Sequence, residues 1–188
     1  MHVSWQKIIL SFAWVLPMCL MGQVKYFVTS NGEILFRSEA PQELIKATSK
    51  ELQGAIEPAG KSFSFKVSMS SFKGFNSAMQ QTHFNENYME SVKFKEAVFK
   101  GKIIEDIDWN QPGKYPVRAK GILTIHGVPQ ERIIKADVTI LPNKSLQVES
   151  LFSVMLSDHN IPIPRIVKEK LAEEIKVGIS AKLEPRNQ

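Results

Sequence analysis

Three histidines and two neighbouring aspartates are the residues in the body of this chain whose types could do chemistry. His83, His126 and His159 are far apart and share no metal-ligand spacing, so only folding could bring them to one ion. Each has a plainer use. His83 falls in a helical insertion, His126 ends a strand before Gly127, and His159 follows Asp158 in a loop; such residues hydrogen-bond backbone or close turns. Asp106 and Asp108 lie two apart beside Trp109. Paired carboxylates can exchange protons, but beside Gln111-Pro112-Gly113 these read as a solvated loop. The chain has no glycine-rich phosphate loop, no Gly-x-Ser-x-Gly and no His-Glu-x-x-His. No catalytic residue and no metal ligand is assigned, and the chain is not expected to be an enzyme.

Length and charge narrow the class. The 188 residues fit one domain. A hydrophobic share of 43% with 11 Phe is globular rather than disordered. The net charge of +5 is spread out with no basic block, which argues against nucleic acid as a partner.

Met1–Gly22 reads as a secretory signal peptide, with residues 23–188 as the domain. Lys7 supplies the positive start, Ile8–Leu16 the apolar run, and Pro17 and Gly22 a cleavage region before Gln23. The apolar stretch Ile8–Met21 is shorter than the roughly 17–25 residues that span a bilayer. An uncleaved anchor is one alternative. A lipoprotein signal at Cys19 is another, although Met18 stands where a small residue is wanted. Cleavage near Gly22 predicts a periplasmic or secreted chain with no cysteine, which suits an oxidising compartment.

From Val24 the dominant period is two. Phe63, Phe65, Val67 and Met69 form one apolar row, and Val117, Ala119, Gly121, Leu123 and Ile125 another. Further rows are Ile134–Ile140, Leu146–Leu156 and Ile175–Leu183, each alternating with polar residues. Such one-sided strands suit an antiparallel sheet. Weaker strands are expected at Val24–Thr29, Glu33–Ser38, Leu44–Ser49, Leu52–Glu57 and Ala97–Ile104. Turns are expected at Ser30-Asn31-Gly32, Pro58-Ala59-Gly60, Gln111-Pro112-Gly113, Gly127-Val128-Pro129 and Pro142-Asn143-Lys144, with Asn31-Gly32 the strongest hairpin signal. Asn76–Glu90 and Arg165–Glu174 read as short helices, the second with Ile166, Val167 and Leu171 inward. Eight to ten short strands predict an all-β sandwich or closed barrel.

A barrel of about eight strands can be filled by its side chains or can hold one ligand. The small residues Ala119, Gly121, Ala136 and Ser150 beside large ones fit both outcomes.

Gly121-Ile122-Leu123-Thr124-Ile125-His126-Gly127-Val128 resembles the Gly-x-Leu-Thr-x-His-Gly-Val hallmark of the YceI-like family. Phe72–Gly101 is similar to that family's central block, through Met79, His83-Phe84, Asn87-Tyr88-Met89 and Ala97–Gly101. Asp158, Ile161, Pro162 and the final strand Glu174–Leu183 are similar too, so the likeness covers nearly all of Val24–Pro185. The chain departs from it at Gln81-Thr82, where many relatives carry Arg-Asp, and at Phe94-Lys95, where Tyr-Pro is common. The resemblance implies an antiparallel lipocalin-like β-barrel with one or two short helices, exported to the periplasm. It also implies a long apolar pocket for an isoprenoid lipid, a polyprenyl chain or isoprenoid quinone, with no other cofactor.

On that reading the apolar rows place Phe63, Phe65, Val67, Phe99, Leu123, Ile125, Phe152 and Val154 along the pocket. Met79, Phe84 and Tyr88 would form its lid or mouth. The expected partner is the isoprenoid lipid, with room left for a transient membrane-surface contact and a homodimer. Two alternatives stay open: a packed structural or stress-related barrel acting through protein contacts, and a haem- or metal-linked redox role.

Overall fold

The computed structural model describes residues 25–186. The expected signal segment Met1–Gly22, with Cys19 and the cleavage point, lies outside the described residues. Eight strands form one closed antiparallel barrel: β1 (Tyr26–Glu39), β2 (Leu44–Glu57), β3 (Ser62–Ser68), β4 (Glu96–Ile103), β5 (Gly113–Ile125), β6 (Val128–Ile140), β7 (Leu146–Met155) and β8 (Glu174–Arg186). Each pairs with its sequence neighbour, and β8 closes on β1. The α-helix α1 (Ala78–His83) runs into a π-helical turn at Phe84–Tyr88. The lipocalin-like architecture expected from the sequence is therefore observed.

Alternation sets the wall. Along β6, Ile134 is 5% exposed and Ile133 is 57% exposed, although the two are chemically identical. The difference is the pleat, which turns successive side chains to opposite faces. Burying one such side chain gains roughly 1.5–3 kcal/mol, so a one-residue slip of the strand would cost several of them together.

The structure corrects two local expectations. Asn31-Gly32 is not a hairpin turn, because β1 and β2 each run unbroken where two strands apiece were expected, and the total is eight. The register against β2 shifts between Thr29 and Gly32 and again before Ile34. This is a β-bulge, which coils a long strand around a barrel. Gly32 sits there because a methyl group at its position would come within 2.9 Å of the Ala181 Cβ. The second correction is Arg165–Glu174, which forms only a 3-10 turn at Arg165–Val167 before β8 begins at Glu174. Ile166 there points outward and is 90% exposed.

The two barrel ends differ. One is closed by the short connections 58–61, 104–112 and 141–145. Trp109 stacks on the buried Phe27 at 5.8 Å, beside Leu146 and Leu183. The opposite end carries the long connections 69–95 and 156–173. The first includes α1 and lies over the opening.

Candidate ligand-binding site

The barrel lumen is hollow. A mouth-side chamber of about 410 Å³ adjoins a deeper one of about 100 Å³. Ile34, Val67, Ala97, Leu123 and Phe152 border both, forming a waist. The deep chamber is almost wholly hydrocarbon. The Ser150 hydroxyl on its wall donates to the Lys135 carbonyl at 2.7 Å, and the Lys66 ammonium turns outward to Glu96. No free polar group among the described residues is therefore presented to a guest at this depth. Such a space recognises a molecule by shape and apolar area.

All eleven residues proposed from the sequence face this lumen. Phe63, Phe65 and Phe99 line the deep chamber, with the Phe63 and Phe99 rings 4.9 Å apart. Val67, Leu123 and Phe152 form part of the waist. Ile125, Val154, Met79, Phe84 and Tyr88 line the mouth chamber. The wall beside the deep chamber contains a close strand approach. Gly101 and Gly121 pair across β4 and β5, and a methyl group on either would run into the other strand's backbone.

The mouth chamber is framed by aromatic rings. Phe84 of the π-helical turn stacks on Phe36 of β1 at 5.2 Å, and Phe75 and Phe72 pack around it. The insertion is pinned to the rim by polar contacts. The Ser77 side chain caps α1 by accepting from the Gln80 N–H at 3.2 Å. The Gln80 amide donates to Glu43, and the Asn76 amide donates to the Leu44 carbonyl at 3.0 Å. The π-helical turn is an uncommon geometry that recurs at functional sites. Burial pushes the Tyr88 phenol above its ordinary pKa. On the far rim, the fully buried Ser38 hydroxyl accepts from the Ala172 N–H at 2.9 Å.

The histidines do not converge. His83 is exposed on the lid, whereas His126 and His159 meet behind the mouth. His126 Nε2 donates to Glu90 Oε2 at 2.7 Å, and the ring packs edge-on against Phe94. Its Nδ1 lies 3.3 Å from the His159 carbonyl. Glu90 and His126 both adopt positive φ, 43° and 51°. His159 is fully buried, and its Nδ1 donates to the Val128 carbonyl at 3.0 Å. Its Nε2 has no partner, and burial holds its pKa below the ordinary value. Asp106 pairs with Lys61 on the surface, and Asp108 accepts from the Asn110 N–H. Among the described residues no group of three His, Cys, Asp or Glu side chains could hold a metal.

Sequence reasoning missed Ile34, Phe36, Phe72, Phe75, Ile175 and Val177 as lumen residues. Ile34 and Phe36 alternate with Glu33, Leu35 and Arg37, so period two could have found them. The Glu90–His126 contact joins residues 36 apart and left no local signal.

Comparison with known proteins agrees with this geometry. A family model described as the YceI-like domain matches residues 28–183. A polyisoprenoid-binding domain from Saccharophagus degradans, implicated in plant cell wall breakdown, superposes with a TM-score of 0.72 at 14% identity. That match covers 87% of this chain and 100% of that one. BcnA of Burkholderia cenocepacia gives a TM-score of 0.66 at 14% identity, covering 81% of this chain and 96% of that one. The YceI protein of Campylobacter jejuni gives 0.55 at 13% identity, covering 100% and 94%. At these identities the likeness establishes the fold. No curated protein matches the chain.

Proposed function

The chain belongs to the YceI-like domain family, and from that premise we propose that it is a binding protein that holds one long apolar isoprenoid lipid inside the barrel. The polyprenyl or isoprenoid-quinone chain lies through the waist into the deep chamber. The protein sequesters or carries this lipid without turnover, in the periplasm or outside the cell after signal cleavage near Gly22. The observation that carries the reading is the hollow lumen. An almost wholly hydrocarbon deep chamber of about 100 Å³ opens into a mostly apolar mouth chamber of about 410 Å³, with polar side chains such as Glu43, Gln80 and Lys170 on its border. The solved polyisoprenoid-binding relative supports the choice of ligand. Each CH₂ removed from water contributes roughly 0.8 kcal/mol, so a multi-isoprene chain binds tightly without a charged anchor.

Extraction of the protein from its native host with organic solvent, followed by mass spectrometry, tests this. A polyisoprenoid in near-stoichiometric amount is expected. Repeated preparations with no long-chain lipid would refute the carrier and favour a barrel acting through its outer surface.

A further inference from the structure

A guest that satisfies the hydrocarbon lining of the deep chamber and waist has no appreciable concentration in water. It resides in a bilayer, and leaving one through water costs roughly 0.8 kcal/mol per CH₂ exposed on the way. A protein that collects such a molecule avoids that cost when its opening faces the bilayer directly.

Among the described residues, four of the eight large exposed apolar side chains lie at the open end, including the two most exposed. Ile166 is 90% exposed and Val92 is 88% exposed, and Met79 and Leu44 join them. They come from four separate mouth-end segments. Leu44 starts β2, Met79 lies on α1, Val92 follows the lid, and Ile166 sits in the connection to β8. Met79 also borders the mouth chamber, as do Val167, Lys170 and Leu171 next to Ile166. The mouth segments are tied to each other, since the Gln42 N–H donates to the Glu169 carbonyl and the Asn76 amide to the Leu44 carbonyl. An apolar side chain left in water on one loop is ordinary; several around one opening are not. Lys46, Lys73, Lys93 and Lys170 belong to the same end, and their long stems can lie along apolar chains while the ammonium stays among headgroups.

We propose that the mouth rim is a docking surface for a phospholipid bilayer, with Val92, Ile166, Leu44 and Met79 entering the interface and the lumen facing the membrane. This rests on the carrier reading for its purpose, but its geometry can be tested separately. The barrel wall offers a competing face. Leu151 and Ile133 are exposed there, and a groove runs past Leu35, Leu151 and Gly178 on the outside of β1, β7 and β8. That groove carries both signs of charge, Glu33, Glu105 and Glu149 with Arg118 and Lys135. It lies on the wall away from the lumen opening, so docking there would leave the mouth turned from the membrane.

Single cysteines at Val92, Ile166, Ile133 or Leu151, in a Cys19→Ser background, would carry an environment-sensitive nitrobenzoxadiazole label. Vesicles of phosphatidylcholine, with and without phosphatidylglycerol, are then added. Labels at residues 92 and 166 should brighten and shift to the blue, and labels at 133 and 151 should not. Val92→Ser with Ile166→Ser should lower vesicle partitioning at least about tenfold, since each side chain loses apolar burial worth about that factor. The same variant should take up lipid more slowly from donor vesicles yet hold as much lipid supplied in detergent. A response from the wall labels, or from none, overturns the proposal even if the protein holds lipid. A response from the rim labels in a protein that never holds lipid would sink the carrier and leave the docking face standing.

Discussion

The closed end and the open end of this barrel are made from the same strands yet carry opposite properties. At the closed end the connections are short, Trp109 seals against Phe27, and Leu146 and Leu183 are fully buried. At the open end the aromatic rings Phe36, Phe75 and Phe84 are only partly buried, and two non-glycine residues hold positive φ in one contact. Packing is denser at the closed end than around the aromatic rings of the open one. Under the proposed carrier role, the difference assigns fold stability and ligand exchange to separate ends, because one region cannot be both close-packed and yielding.

The sharpest way to break this comparison is to truncate one phenylalanine at each end. Phe27→Ala leaves a void under Trp109 and should cost about 3–5 kcal/mol in urea unfolding. Phe84→Ala removes a partly buried ring and should cost about half as much, while bound lipid falls. Equal losses would mean that the open end supports the fold as much as the closed one.

His159 gives the comparison a pH axis. Burial depresses its pKa in the folded chain below the ordinary 6.5, so the unfolded chain binds the proton more readily. Stability therefore rises with pH across that window, and His159 withholds none of it above about pH 6.5. As the pH falls below that value stability drops, by at most about 1.4 kcal/mol per pH unit for one proton. His159→Gln should flatten this part of a melting-temperature profile. An unchanged slope would place the proton uptake elsewhere.

A third test asks whether the lumen is open in solution. Phe63→Trp with Phe152→Trp adds bulk to the deep chamber and the waist. In a hollow barrel the rings enter empty space, so stability should change by under about 1 kcal/mol while bound lipid drops. A filled core would lose about 1–3 kcal/mol from overpacking.

How far the sequence reached follows the same division of ends. Rows such as Ile134–Ile140 and Ile175–Leu183 were legible because a pleated strand imposes period two on whatever it buries. The eight strand residues named for the lumen were legible for that reason, since an inward row in a barrel can face only the lumen. Met79, Phe84 and Tyr88 lie off any strand row, on the insertion, and follow from its helical spacing and the family resemblance. Whether the lumen is hollow was not legible. It depends on how inward side chains of non-neighbouring strands meet across the lumen, which no local pattern encodes. Asn31-Gly32 misled because the same dipeptide that closes a hairpin also serves a bulge. The choice was made by β8, whose Ala181 crowds the position from a distant part of the chain. Arg165–Glu174 misled because its charges and apolar residues have helical spacing, yet the Glu169 carbonyl is committed to Gln42 across the rim.

The smallest expected effect concerns the contact that fastens the lid. Glu90 ends the insertion, and its carboxylate accepts from His126 in the β5–β6 turn. The carboxylate is 43% exposed, so water competes for it and the pair is worth only about 0.2–1 kcal/mol. Glu90→Ala should therefore barely move global unfolding, because the closed end sets that transition. Under the proposed carrier role the insertion opens as a local unit, governed by the few contacts it breaks. Loss of about 0.5–1 kcal/mol there makes the open form roughly two- to fivefold more populated. Dissociation of a bound fluorescent polyene should speed up by the same factor, with little change in urea midpoint. If midpoint and dissociation rate moved together in proportion, the lid would open only when the barrel does, and the two ends would be one cooperative unit.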